Sequence, residues 1–447
     1  MPARNLIAAV AILAAITSQP LQAEPRQLTP DQMRGLAVSS YNARQLQVAL
    51  DLTAALLARD PQDRLALLLR SRTLRDMGQP RAAIAPARQA WALAKTDREK
   101  FTAAMILAQA LSSDGQRTMA QLWLRRAGEV APGDAAKRSA IQGYRYVRSR
   151  NPLSFQLSAT ATPTSNINGG SSETGAGLAT FDGDARALSG MEYTLGFAAR
   201  YLLPPTEKTQ TALTFSAYAA QYQFSSSARQ QAVRVKASDF AFSTVALGLE
   251  QKRILGPVLL SYGMNLGHSW FGGSDLANFA QLQAGLRWKM RPQTELGLSL
   301  STDRQQRLDT ASASSNRLAL TAVLVQSLAS RDQFRLSATV ARTRSDNIRV
   351  DRRDLGAELG YQLAEPIAGL QLGGQLSFEL RTYDSTPFAV GGRNDKKTSA
   401  TLTATFVQWD YFGFVPTLDV TVSRNRSNVA RYTTREAGIA FGLKSAF

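Results

Sequence analysis

The sequence predicts two parts: a tetratricopeptide-like helical solenoid, then a fourteen-stranded antiparallel β-barrel of the outer-membrane kind. Three observations predict this. At the polar hinge Arg148-Ser149-Arg150-Asn151-Pro152 the spacing of apolar residues changes from a period near 3.6 to a period of 2. Beyond the hinge, residues 153–447 divide into fourteen short alternating stretches. Their connections switch strictly between long and short, a sorting that a soluble sheet has no reason to show. A membrane barrel does, because it keeps tight turns on one side and longer loops on the other.

The chain opens on what reads as a secretory signal, Met1 to Ala23. Arg4 supplies the positive start, Leu6 to Ile16 the apolar run, and Leu21-Gln22-Ala23 a small-residue cleavage site. The run is short for a bilayer-spanning helix, so cleavage is expected rather than anchoring, and no later apolar stretch is long enough for such a helix. If this chain crosses a membrane, it must do so as a closed barrel, where every backbone group is paired. With no cysteine there is no disulfide, thiolate metal site or thiol nucleophile, and His268 is the single histidine. The net charge is +18. It is spread over both parts, with 21 Lys+Arg against 11 Asp+Glu between Glu24 and Pro152. Dispersed charge on a secreted chain argues against nucleic acid as a partner and for acidic headgroups or an acidic protein.

Residues 24–150 form the expected helical domain. Asp60-Pro61, Thr96-Asp97 and Ala131-Pro132 recur at intervals of about one tetratricopeptide unit, and Met77-Gly78-Gln79-Pro80 corresponds to Asp114-Gly115-Gln116-Arg117. Three degenerate units fit, with Ala49, Ala85 and Ala120 expected where paired helices approach closely. Such solenoids leave a concave face free for peptides. Arg70, Arg72, Arg75 and Arg81 either line that face as a client-binding basic patch or form an ordinary solvated surface. Trp91, Phe101 and Trp123 fit core positions.

Residues 151–447 form the expected barrel. Strands are predicted over 153–162, 190–202, 209–222, 238–250, 257–269, 277–290, 293–303, 315–327, 332–344, 351–364, 369–383, 397–409, 414–425 and 431–447. In the sixth, Ala280, Leu282, Ala284, Leu286 and Trp288 oppose Gln281, Gln283, Arg287 and Lys289. In the eleventh, Leu370, Leu372, Leu376, Phe378 and Leu380 oppose Gln371, Gln375, Ser377, Glu379 and Arg381. The apolar set must face lipid, since a charge at the bilayer midplane costs about 2–4 kcal/mol. The lumen is therefore expected to be polar and of mixed charge. Short turns are read at Pro204-Pro205, Leu255-Gly256-Pro257, Arg291-Pro292, Ala329-Ser330, Glu365-Pro366 and Tyr411-Phe412-Gly413. Asp351 and Asp354, flanking Arg352-Arg353, read as loop ion pairs.

Phe441, Leu443 and Phe447 share the outward face of the last strand. This ending resembles the C-terminal signal by which the barrel-assembly machinery recognises its substrates; an interfacial aromatic girdle is the plainer account. Thr164-Ser165-Asn166-Ile167-Asn168 closes the first strand on an Asn-x-Asn element. Near the end come Arg393 and Asp395, Gly413-Phe414-Val415-Pro416, Ser427-Asn428-Val429, Tyr432 and Arg435. With the domain layout, this ordered set is similar to the surface lipoprotein assembly modifier family. The resemblance implies a periplasmic helical domain that binds a surface lipoprotein or secreted client, and a barrel that passes it across the outer membrane of a Gram-negative cell. Asn166, Asn168, Ser427 and Asn428 also suit plain turn geometry.

Two other functions compete. A passive, porin-like diffusion channel fits the polar lumen but leaves the helical domain without a use. A hydrolase would need His268 with Ser269 and Asp275, yet adjacent strand residues point to opposite faces. No phosphate loop, nucleotide fingerprint or metal-spaced cluster occurs in the sequence, so no catalytic residue, cofactor or metal is expected. The expected partners are the client, the assembly machinery and outer-membrane lipid, around a monomer.

Overall fold

The structure, a computed structural model, describes residues 27–176 and 179–445. The expected signal segment and the terminal Phe447 lie outside the described residues. The chain forms two compact units, divided between Gln116 and Arg117.

The first unit holds five helices: α1 (Pro30–Asn42), α2 (Leu46–Arg59), α3 (Arg64–Asp76), α4 (Pro80–Ala92) and α5 (Asp97–Ser113). Their starts are encoded locally. Thr29 with Gln32, and Thr96 with Glu99, make reciprocal capping boxes, and Asp63 accepts from the Ala66 N–H. Gly78 and Gly115 end α3 and α5 with φ of +78° and +84°, which only glycine adopts without strain. The equivalent position after α1 is Arg44, at φ +61°. The repeat is visible as contacts between residues one unit apart. The Tyr41 hydroxyl donates to Asp76 at 2.7 Å, Arg64 to Glu99 at 2.8 Å, and Arg75 to Gln109. Leu107 and Leu111 are fully buried, as are Thr53, Thr73 and Ser71. The three hydroxyls bond backbone carbonyls, so their burial leaves no donor unmet. One position needs correction. Ala85 is exposed and Ala83 is the fully buried small residue, in line with Ala49 and Ala120. The intervals are therefore 34 and 37 residues, because α5 runs 17 residues where α3 runs 13.

The second unit begins with α6 (Arg117–Glu129) and α7 (Asp134–Arg150) and continues as fourteen antiparallel strands closed into a barrel. These are β1 (Leu153–Thr164), β2 (Gly190–Leu202), β3 (Thr209–Phe224), β4 (Phe242–Leu255), β5 (Val258–Phe271), β6 (Ser274–Arg291), β7 (Thr294–Arg307), β8 (Ser315–Ser327), β9 (Gln333–Ser345), β10 (Arg352–Gln362), β11 (Leu370–Tyr383), β12 (Arg393–Phe406), β13 (Phe414–Ser427) and β14 (Thr434–Ser445). Each pairs with its neighbours in sequence, and β1 closes on β14. Register sorts the two faces. Leu213, Leu249, Met264 and Leu282 are successive cross-strand partners on the outward face, each more than 40% exposed. An apolar belt of this size has no place on a water-soluble surface. Alternation in β6 and β11 runs as expected. The closed barrel with its apolar belt fits an outer-membrane barrel. No helix among the described residues is long and apolar enough to cross a membrane.

All six short turns lie at one end of the barrel, here the turn end. The loop end carries the 165–189 and 225–241 connections, but the strict alternation fails there, since 308–314, 346–351 and 428–433 are no longer than the turns 363–369 and 407–413. Between β5 and β6 the link is Gly272-Gly273 alone, both at positive φ, the geometry of a two-residue hairpin. β4 starts at Phe242 rather than 238, because Ala237–Phe240 forms a single 3-10 turn. β12 starts at Arg393 rather than 397, and Asp354 is a lumen-facing strand residue of β10, not a loop residue. Ladders continue past the apolar belt, since strand pairing needs no lipid.

Candidate functional site

At the loop end of β11–β14 a charged pair is buried in an aromatic clamp. Arg393 and Asp395 are two apart on β12 and therefore share the lumen face. Arg393 donates through Nε at 3.0 Å, with a second nitrogen at 2.8 Å from the same carboxylate oxygen. Its guanidinium lies 3.8 Å from the ring centre of Tyr383 and 3.6 Å from that of Tyr432. Both charged side chains are almost fully buried. Stacked, charge-assisted geometry of this kind suits arginine and no other cation. Around it Asn428 accepts from the Asn394 N–H and donates to the Gly392 carbonyl. Ser427 accepts from the Val429 N–H, and Asn425 donates to the Tyr432 carbonyl.

The Asn-x-Asn element reaches the same place from β1. Asn166 exchanges hydrogen bonds with the backbone of Gly170. Asn168 donates to the Asp184 and Arg186 carbonyls and accepts from Gly170 and Leu188. These bonds fold the 165–189 loop so that Ser171 donates to the Ala430 carbonyl at 2.8 Å and Ser172 N–H to Thr433 at 2.8 Å. The loop thus bridges the seam where β1 meets β14. Its inner flank joins the 225–241 loop in a small core of Leu188, Phe224, Ala228 and Ala232. Phe224 is the last lumen-facing residue of β3 by register.

The seam itself is lightly paired. Among the described residues, β1 and β14 share Ala161↔Phe441 and Thr164↔Gly438, whereas β1 and β2 pair along all of β1. Both pairs lie in the loop-end half of β1. Phe441 and Leu443 face outward and exposed.

The lumen holds both signs of charge. Arg200 and Lys252 flank Glu250 at 3.3 and 3.1 Å, Arg381 meets Glu379 at 2.7 Å, and Gln281 donates to Asp303 at 2.7 Å. His268 is not part of this lining. It faces outward against Trp270, with Asn278 at 2.7 Å and Asp275 at 3.1 Å. Ser269 points the other way and donates to the Ala277 carbonyl, so the two cannot share a proton. No group of three or more His, Cys, Asp or Glu that could hold a metal occurs among the described residues.

Gly413 and Pro416 belong to the opposite, turn end, and Arg435 to the outward face. Gly413 and Phe412 adopt φ of +71° and +51°. This β12–β13 turn is held by α6 and α7. Arg125, itself buried, donates to the Phe412 and Gly413 carbonyls at 2.8 and 2.9 Å and lies over the rings of Phe414 and Tyr144. Glu129 accepts from the Phe412 N–H at 2.9 Å, and Lys137 meets Asp410 at 2.8 Å. Sequence reasoning missed this clamp entirely. In the first unit, Arg75 is committed to Asp76 and Gln109, Arg70 is half-buried, and Arg72 and Arg81 are exposed.

No family model matches the chain, and no curated protein does. Solved structures resemble its helical part. The type III secretion translocator chaperone SycD of Yersinia enterocolitica is 18% identical over 28% of this chain and 88% of its own, with a TM-score of 0.25. SycD in complex with a peptide of the translocator YopD gives 19% identity, 28% and 98% coverage, and a TM-score of 0.25. The first tetratricopeptide domain of human RPAP3 gives 14% identity, 27% and 95% coverage, and a TM-score of 0.23.

Proposed function

We propose that this chain is an outer-membrane translocator of the surface lipoprotein assembly modifier kind, moving a lipoprotein or related secreted client to the cell surface. The observation that carries the reading is the joining of a helical repeat to a closed barrel within one chain, with α6 and α7 clamped on the turn end. A diffusion pore has no use for a repeat whose concave face suits extended peptides. In this reading the turn end and the helices face the periplasm, the loops face outward, and the barrel-assembly machinery inserts the chain. The lightly paired seam, bridged at its loop end by Ser165 to Ser172, offers the client a lateral route beside the charged lumen.

The direct test is deletion of the gene, followed by surface labelling of neighbouring-gene lipoproteins in intact cells. Loss of labelling with unchanged total amount is the expected result. Unchanged exposure of every candidate, together with stable client-independent conductance of the purified protein in planar bilayers, would establish a diffusion channel instead.

A further inference from the structure

On the outward face near the loop end, four cations stand together with no acid in ion-pair reach. Lys396 of β12 is the direct cross-strand partner of Arg426 on β13, and Arg424 is the direct partner of Arg435 on β14. All four are exposed, and none has an ion pair or hydrogen bond among the described residues. Like charges placed directly opposite on a sheet repel. Elsewhere on this rim the repulsion is relieved: Arg342 has Asp351 at 2.6 Å, and Arg353 has Asp384 at 3.1 Å. In this patch the carboxylate of Glu173 acts on Arg424 from beyond ion-pair reach and is outweighed by Arg426 and Arg435, so the excess positive charge calls for an anion from outside the chain.

The surroundings say what kind. A depression of about 540 Å³ is lined by Lys396, Thr398, Arg424 and Arg426 above Ala400 and Val422. Val422 also borders a second groove, of about 770 Å³, which runs over the seam past Pro163, Met191, Val420 and Ile439. Cations therefore lie at the loop end of β12–β14, and below and beside them an apolar groove crosses the β1–β14 seam toward Ser189 and Ser225. That order, charge at the membrane interface and hydrocarbon beneath, is the order of a phosphorylated, acylated lipid standing beside the wall.

We propose that Lys396, Arg424, Arg426 and Arg435 bind the phosphates of a multiply phosphorylated glycolipid of the loop-side leaflet, with an acyl chain in the groove along the β1–β14 seam. The site rests on the reading of the barrel as membrane-embedded with its loops outward. It also ties the lipid to the seam, so that an occupied groove props β14 against β1.

The test uses the purified full-length chain. Insertion is scored first, by flotation with phosphatidylcholine vesicles and by the heat-dependent gel shift of a folded barrel. Binding is then measured with fluorescent bis-phosphorylated lipid A and with its dephosphorylated form. The phosphorylated probe should bind roughly tenfold or more tightly than the dephosphorylated one, and K396Q/R424Q/R426Q/R435Q should lose that difference. Raising the salt to weaken exposed charge contacts should erase it in the unaltered chain, which decides the matter even if the variant does not fold. Equal binding of the two probes, retention by the variant, or displacement by inorganic phosphate overturns the site. A chain that floats with no vesicle overturns the membrane reading and the site together, whereas insertion without probe discrimination overturns the site alone.

Discussion

Replacing Arg125 by Met should release α6 and α7 from the barrel while leaving the strands intact. Arg125 gives two charge-assisted hydrogen bonds to the carbonyls of Phe412 and Gly413, at 2.8 and 2.9 Å, and stacks between Phe414 and Tyr144. Each such bond contributes about 1.5–3 kcal/mol, and each ring contact about 0.5–1 kcal/mol. Methionine keeps most of the apolar stem, and water can reach a freed carbonyl, so the net loss is set near 3 kcal/mol. That corresponds to roughly a hundredfold easier local opening. Amide exchange of the full-length protein in detergent micelles reads this directly, in peptides covering 117–150 and 407–413. Arg125→Lys should fall between the two, since an ammonium cannot serve both carbonyls and also stack as a plane does. Protection in α1–α5 serves as the internal control. A change below about threefold in both peptides for Arg125→Met would refute the clamp as the element that holds these helices.

Other perturbations separate the remaining parts. Asn168→Ala removes four hydrogen bonds of the 165–189 loop and should make that loop the first site of limited proteolysis, with the barrel's gel shift unchanged. Cysteines introduced at Ala161 and Phe441, direct partners across the seam in a chain with no other thiol, should form a disulfide. Client surface labelling that survives the lock would exclude the lateral route; loss restored by reductant would support it. Asp395→Asn leaves the buried Arg393 without its anion and should destabilise by about 3–5 kcal/mol, read as a lower denaturant midpoint; an unchanged midpoint would show that Tyr383 and Tyr432 suffice. For Asp76, burial raises the carboxyl, but hydrogen bonds from Tyr41 and Arg75 outweigh it and hold it below the usual range. A depressed value means its stabilisation is present above the ordinary carboxylate range and fades as pH falls through the depressed value. Helix stability of the unaltered chain and of Asp76→Asn should therefore converge below about pH 4, and a constant difference down to acid would contradict the assignment.

Much of the architecture was legible because lipid and backbone impose simple rules. In β6 and β11 every second residue has to be apolar, so the residue pattern alone assigns the two faces. Boundaries slipped where that rule stops. Arg393 and Asp395 precede the predicted strand 397–409, yet the lumen face accepts charge, and the tyrosines that bury the pair sit ten and thirty-nine positions away. Gly272-Gly273 was a readable hairpin signal, masked by the expectation that odd connections are long. Arg44 hid the first repeat turn by standing where Gly78 and Gly115 stand in the next two. Nothing local distinguishes Arg125 from Arg126. Only the fold, which brings Phe412 and Gly413 to it, does so.

That separation governs the order of assembly. The carbonyls that Arg125 binds lie 287 and 288 residues further along the chain, in the turn before the next-to-last strand. The barrel-proximal helices emerge from synthesis first but cannot finish folding until thirteen strands have formed, a contact of very high sequence separation. Until then Arg125 carries an exposed charge, and Phe412 has no reason to adopt its left-handed backbone. A chain stalled before the β12–β13 turn forms leaves α6 and α7 without these contacts. The clamp therefore ties the packing of α6 and α7 to formation of the β12–β13 turn.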